Sequence, residues 1–241
     1  MIRTYVACFA LALSAGCGRQ GSKVTHMQPK AFGAALVEVG GGKQIAPTGT
    51  VADQPLVVQV NDAQGAPLAG AVVSFHSSGG AAVDPVEGLT GADGQLSVTV
   101  TLGGVAGRYQ FIATTRGATG KPIELRSEEI ALGYQQDLGR QVNDRYCSRC
   151  HDSESTAQRV SNHDNLKAPP HAFTDGAFLN NVSDADLWNI IARGGPALNK
   201  SAEMPPYGAT LQKSEIDALV AFIRAVADPP YRLKGLVYAK N

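Results

Sequence analysis

The chain has 241 residues, room for one large or two small domains. Basic and acidic side chains number 21 each, so the formal net charge is zero and the charge balance gives no sign of a nucleic acid partner. Aromatics are sparse at 6%, and the four cysteines are Cys8, Cys17, Cys147 and Cys150.

The first element is a leader. Met1-Ile2-Arg3 is a short basic start, and residues 5–13 form an apolar run too short to span a bilayer comfortably. The run ends in Leu13-Ser14-Ala15-Gly16-Cys17, which resembles the lipobox of bacterial lipoproteins. Ser14 departs from the larger aliphatic residue usual at its position. The resemblance implies a lipoprotein-type signal peptide over residues 1–17, cut before Cys17, with lipidation of Cys17 and export. With Gly18 next, and no aspartate, it implies anchoring at a bacterial outer membrane or facing the periplasm. An ordinary secretory peptide cut near Ala15 or Gly16 is the plainer alternative. Residues 18–31 are polar and aperiodic, a flexible tether.

Residues 32–133 read as all-β. Leu56, Val58 and Val60 alternate with other positions, as do Ala71, Val73 and Phe75, and Tyr109, Phe111 and Ala113; residues 96–102 alternate throughout. Asp62-Ala63-Gln64-Gly65, Ser78-Gly79-Gly80, Ala92-Asp93-Gly94 and Gly103-Gly104 supply the turns. Short strands at this spacing predict a sandwich. Pro55-Leu56-Val57-Val58-Gln59-Val60-Asn61-Asp62, Pro67-Leu68-Ala69-Gly70-Ala71 and Thr90-Gly91-Ala92-Asp93-Gly94-Gln95, with Gly107-Arg108-Tyr109 further on, resemble the invasin/intimin type of bacterial Ig-like domain. That likeness implies seven strands, a spacer or adhesion role with a possible protein partner, and no catalysis. His76 reads as a surface histidine.

After Gly133 the period changes to helical. Leu138, Val142 and Tyr146 mark one helix face over residues 135–146. Ser183 caps a second helix with the stripe Leu187, Ile190 and Ile191, closed by Gly194-Gly195-Pro196. Ser214 caps a third, which Asp228-Pro229-Pro230 terminates. Residues 134–241 thus form a small all-α domain with a short tail, and the chain is multidomain, an all-β sandwich followed by an all-α unit. A helical core this small is marginal alone.

Cys147-Ser148-Arg149-Cys150-His151 carries the chemistry. C-x-x-C-H is the attachment pattern of one covalently held haem c, two thioethers to the vinyl groups and the histidine as an iron ligand. A zinc site needs a second ligand pair, and no cysteine follows; a redox dithiol should follow a strand rather than a helix. Haem c is attached outside the cytoplasm, in agreement with the leader.

The domain resembles a class I cytochrome c. Besides the haem motif, Ala202-Glu203-Met204-Pro205-Pro206-Tyr207-Gly208 looks like that family's sixth-ligand loop, and residues 211–224 look like its last helix. The likeness implies His151 and Met204 as the iron ligands, with His163 or His171 as bis-His alternatives to Met204. It implies a prolyl loop, Pro169 or Pro170, accepting the other His151 N–H, and Gly139 packing on Phe222. Asn143 stands where an aromatic is usual, with Val142 or Tyr146 to compensate. Trp188 and Arg193 are candidates for a haem propionate, against simple packing for Trp188 and simple solvation for Arg193. The function expected is single-electron transfer between a redox donor and acceptor, not enzymatic turnover. The rivals are a haem enzyme or a gas or peroxide sensor with an open sixth position, and an adhesion or assembly protein led by its Ig-like domain.

Overall fold

The computed structural model describes residues 27–152 and 160–232. The leader, Cys17 and the start of the tether, and the basic tail with Lys234 and Lys240, lie outside the described residues.

The first unit is a two-sheet sandwich. One sheet runs β1 (Ala35–Gly40), β3 (Leu56–Asn61), β7 (Gln95–Thr101), β5 (Ala82–Asp84); the other runs β2 (Ile45–Pro47), β9 (Pro122–Leu132), β8 (Gly107–Arg116), β4 (Val72–Ser77), β6 (Glu87–Leu89). All pairs are antiparallel except β2 with β9, where Ile45 pairs with Ile130. Leu56, Val58, Val60, Val73, Val98, Val100 and Phe111 are all but sealed from solvent. They are the inward half of each alternating run, since a strand sends successive side chains to opposite faces. The Asp93-Gly94 turn works because Gly94 sits at φ +72°, and a Cβ there would lie 2.7 Å from the Leu68 nitrogen. His76 is exposed on β4, as expected.

Nine strands are present among the described residues, where the resemblance implies seven. β2, β5 and β6 have three residues each, too few for alternation to show in sequence. The tether is also shorter than expected. Lys30 N–H donates to the Gly70 carbonyl at 3.0 Å and Ala31 bridges Ala71, so the last residues of that stretch already belong to the sandwich.

The second unit is helical, with α1 (Tyr134–Val142), α2 (Ser148–His151), α3 (Gly176–Leu179), α4 (Asp184–Arg193) and α5 (Lys213–Val226). Ser183 caps α4 by accepting from the Asp186 N–H at 3.1 Å. Ser214 does not cap α5: the cap position is Gln212, whose N–H donates to Glu215 Oε2 at 2.7 Å, and Ser214 lies in the first turn. A glutamate at the third helical position reaches back to this N–H and fixes the start two residues earlier. The helix expected over 135–146 is split. After Val142 the backbone opens into a π-helical turn, Asn143–Cys147, before α2. Such turns insert one extra residue and re-aim the side chains that follow.

α1 crosses α5 where Gly139 meets Phe222. A Cβ on Gly139 would collide with the Ala218 carbonyl and lie 2.8 Å from the Phe222 Cβ. In the same region Val142 is buried and Tyr146 packs against the same cluster.

The two units share a core. Ile130 and Leu132, at the end of β9, are buried in the helical cluster with Val142, Cys147, Leu219 and Ile223, and Ile45 packs on it. Only Gly133 separates β9 from α1. Arg108 on β8 pairs with Glu128 and donates to the carbonyls of Ala225 (3.3 Å) and Ala227 (2.6 Å), at the end of α5. The helical core, marginal by itself, is completed by the sandwich.

Candidate functional site

The π-turn delivers the C-x-x-C-H residues to the helical core. Cys147 is buried in it, Cys150 and His151 are half-buried, and the two thiols are unbonded to each other. Burial pushes the Cys147 thiol up to about 12, with Cys150 and Asp144 adding to the shift. Burial thus keeps the Cys147 thiol protonated near neutral pH. Among the described residues no three His, Cys, Asp or Glu side chains gather as a metal-ion cluster.

His151 Nδ1 lies 3.0 Å from the carbonyl of His171. A carbonyl only accepts, so the proton is on Nδ1 and Nε2 keeps its lone pair. Burial holds the imidazole below its ordinary pKa, opposed by the His171 hydrogen bond. The ring of Phe173 covers His151 at a centroid distance of 4.5 Å and 31°. The accepting carbonyl belongs to His171, not to Pro169 or to Pro170, which is half-buried.

His171 and His163, the alternatives to Met204, have other partners. His171 Nδ1 bonds Asp175 Oδ2 at 2.7 Å and its ring stacks on Phe178, while His163 Nδ1 lies 3.0 Å from Asp164 Oδ1. The His171 hydrogen bond, joined by the Phe178 N–H, holds the Asp175 carboxyl below its usual range.

Met204 is half-buried in a loop bonded to the end of α4. Gly195 N–H donates to the Met204 carbonyl at 3.0 Å, Tyr207 N–H to Ile191 at 3.0 Å and Gly208 N–H to Ala192 at 2.9 Å. Gly194 turns at φ +81°, with the Met204 carbonyl 2.9 Å from where its Cβ would be. The Tyr207 hydroxyl then donates to the Tyr146 carbonyl at 3.1 Å, and the two rings meet edge to face at 6.1 Å. The Met204 loop is thereby tied to the turn that carries Cys147. Burial, with the two thiols adding, raises the Tyr207 pKa.

Trp188 packs on the same cluster, and its Nε1 is buried with no partner among the described residues. A buried N–H left unpaired costs about 1–3 kcal/mol, which makes it a donor in want of an acceptor. Arg193 is exposed. Arg224, which the sequence did not single out, holds three points: the carbonyls of Leu179 (2.6 Å) and Val182 (2.5 Å), and Asp184 at 2.8 Å. It lies one residue past the stripe Phe222–Ile223, where periodicity alone makes it a solvated arginine.

Residues 135–223 match the family model described as "Cytochrome C oxidase, cbb3-type, subunit III", and residues 43–127 match "Bacterial Ig-like domain (group 1)". The chain thus joins an Ig-like segment to a cytochrome c segment, and the latter implies haem c and electron transfer. Among solved structures it is similar to the D00-D0 domain of intimin, at 21% identity over 44% of this chain and 50% of that one, TM-score 0.33. Invasin, described as a bacterial integrin-binding protein, is 21% identical over 43% of this chain and 20% of its own, TM-score 0.30. The Yersinia pseudotuberculosis adhesin InvE is 16% identical over 39% of this chain and 31% of its own, TM-score 0.30. The chain thus spans about half, or less, of the length of these structures. No curated protein matched.

The residues fit a haem. Two unbonded thiols stand at C-x-x-C spacing, one of them buried in the helical core, His151 keeps one nitrogen lone pair for iron, and Trp188 has an unmatched donor.

Proposed function

We propose that the chain is a membrane-anchored monohaem c-type cytochrome that passes single electrons between a redox donor and acceptor outside the cytoplasm, without substrate turnover. The observation that carries it is the His151 Nδ1 bond to the His171 carbonyl, which fixes the tautomer an iron ligand needs, inside C-x-x-C-H. When bound, haem supplies a one-electron ferric/ferrous couple. Cys147 and Cys150 would hold it covalently, and His151 and Met204 would ligate its iron. A neutral thioether favours ferrous iron and raises the potential. Gly195, Tyr207 and Gly208 fasten the Met204 loop, which would hold the thioether in place as a ligand. Trp188 offers its N–H to a propionate.

Cys17 carries the lipid, and the sandwich spaces the cytochrome unit from the membrane. The Ig-like segment leaves room for a protein partner. The oxidase-subunit description of the matching family favours a terminal oxidase as the electron acceptor.

The test is an oxidised and reduced absorption spectrum of the matured protein beside Met204→Ala. Sharp c-type bands on reduction, with a near-infrared sulfur-to-iron band that the variant loses, are expected. A high-spin spectrum in the unmutated protein overturns the reading in favour of peroxide or gas chemistry at an open iron.

A further inference from the structure

The segment 171–178 does more than supply one carbonyl. His171 accepts from His151 through its backbone while its own ring projects outward. That ring is held twice, by Asp175 Oδ2 at 2.7 Å and by Phe178, whose ring stacks at a centroid distance of 3.7 Å and 7°. Phe178 is 41% exposed, so it serves the core poorly. Asp175 also accepts from the Phe178 backbone N–H at 3.2 Å, so one carboxylate bonds the His171 ring and the backbone that carries Phe178. The far end of the segment is fastened by Gly176 N–H to Asp228 (3.0 Å) and Asp228 N–H to Thr174 (2.9 Å). At the His171 end, the side-chain holds among the described residues are this stack and this hydrogen bond.

We propose that His171, Asp175 and Phe178 are positioning residues that hold the His171 carbonyl on the proximal imidazole and thereby set how strongly His151 donates to iron; the inference rests on the electron-carrier reading above. A firm acceptor on Nδ1–H gives the imidazole imidazolate character and stabilises ferric iron. When the carbonyl drifts, the donation weakens and the equilibrium moves toward ferrous iron.

The test uses the full haem-loaded chain and three variants. His171→Phe keeps the stack and loses the Asp175 bond. Phe178→Ala keeps that bond and loses the stack. Phe178→Tyr keeps both. Reduction potential is read by spectroelectrochemical titration, and exchange of the His151 Nδ1 proton by NMR in the ferrous form. Both disruptive variants are expected to shift toward ferrous iron, by up to about tenfold in the equilibrium, about 59 mV for one electron. Proton exchange should be faster in both, and Phe178→Tyr should match the parent. Unchanged potentials and exchange in both disruptive variants overturn the proposal and leave the electron carrier standing. If Phe178→Ala loads no haem, His171→Phe decides. A parent protein that carries no haem overturns both.

Discussion

The guanidinium of Arg108, on the sandwich, donates to the carbonyl of Ala227, just past the last helix, at 2.6 Å. An orphan carbonyl at a helix end is normally left to water or a cap, and here a strand from the other domain takes it. Together with Ile130 and Leu132 in the helical core, it makes the units interdependent. Arg108→Ala removes charged hydrogen bonds worth about 1.5–3 kcal/mol each. Leu132→Ala opens a cavity worth about 2–5 kcal/mol. Both are expected to lower the melting of the helical unit as well as the sandwich, in one calorimetric transition. Two separate transitions, with only the sandwich shifted, would show that the domains fold apart.

The close crossing of α1 and α5 predicts intolerance at Gly139. With the Ala218 carbonyl in the way of any Cβ, Gly139→Ala forces the helices apart and is expected to destabilise by about 1–3 kcal/mol, despite alanine's better helix propensity. A melting curve equal to or above that of the parent would refute the packing.

Glu129 predicts a pH dependence. It is 0% exposed on β9, accepts from the Gln44 N–H and has Ser127 Oγ at 3.4 Å. Burial raises its pKa from 4.5 to about 7, opposed by the Gln44 hydrogen bond and aided by Glu38. The folded state holds a proton that the unfolded state has already lost, so stability falls as pH rises from about 4.5 to about 7 and levels off above. The fall is on the order of 3–4 kcal/mol. Urea midpoints across that window should decline in the parent, and the decline should be smaller in Glu129→Gln. Equal slopes would sink the assignment.

The neutral Cys147 thiol predicts slow alkylation in haem-free protein. Moving a thiol from 9.0 to about 12 cuts its thiolate fraction near neutral pH about a thousandfold. Mass spectrometry after brief treatment with iodoacetamide should find Cys150 labelled well before Cys147. Faster labelling of Cys147 would revive the redox-dithiol alternative.

Much of the fold was readable because it rests on short-range chemistry. Alternation placed the long strands, Ser183 placed the start of α4, and the small residues of the Asp93-Gly94 turn announced their own backbone. The misreadings have local causes. β2, β5 and β6 are too short for a period, and the π-turn at Asn143–Cys147 leaves no mark in the hydrophobic pattern. Gln212 caps α5 through the reach of Glu215, which makes Ser214 a misleading signal.

The site divides the same way. C-x-x-C-H and the Met204 loop are visible because the spacing of the thiols and histidine, and the prolines after the methionine, are the chemistry itself. Which carbonyl receives His151, what holds His171, and what joins the Met204 loop to the Cys147 turn are decided by contacts between residues 20, 4 and 61 positions apart. The order of residues by itself determined two units of opposite periodicity and one candidate cofactor motif. Only the tertiary structure decided that Ile130 and Leu132 of the first unit complete the core of the second. A strand shows in sequence that one face is apolar, and burial is settled by whatever packs on that face.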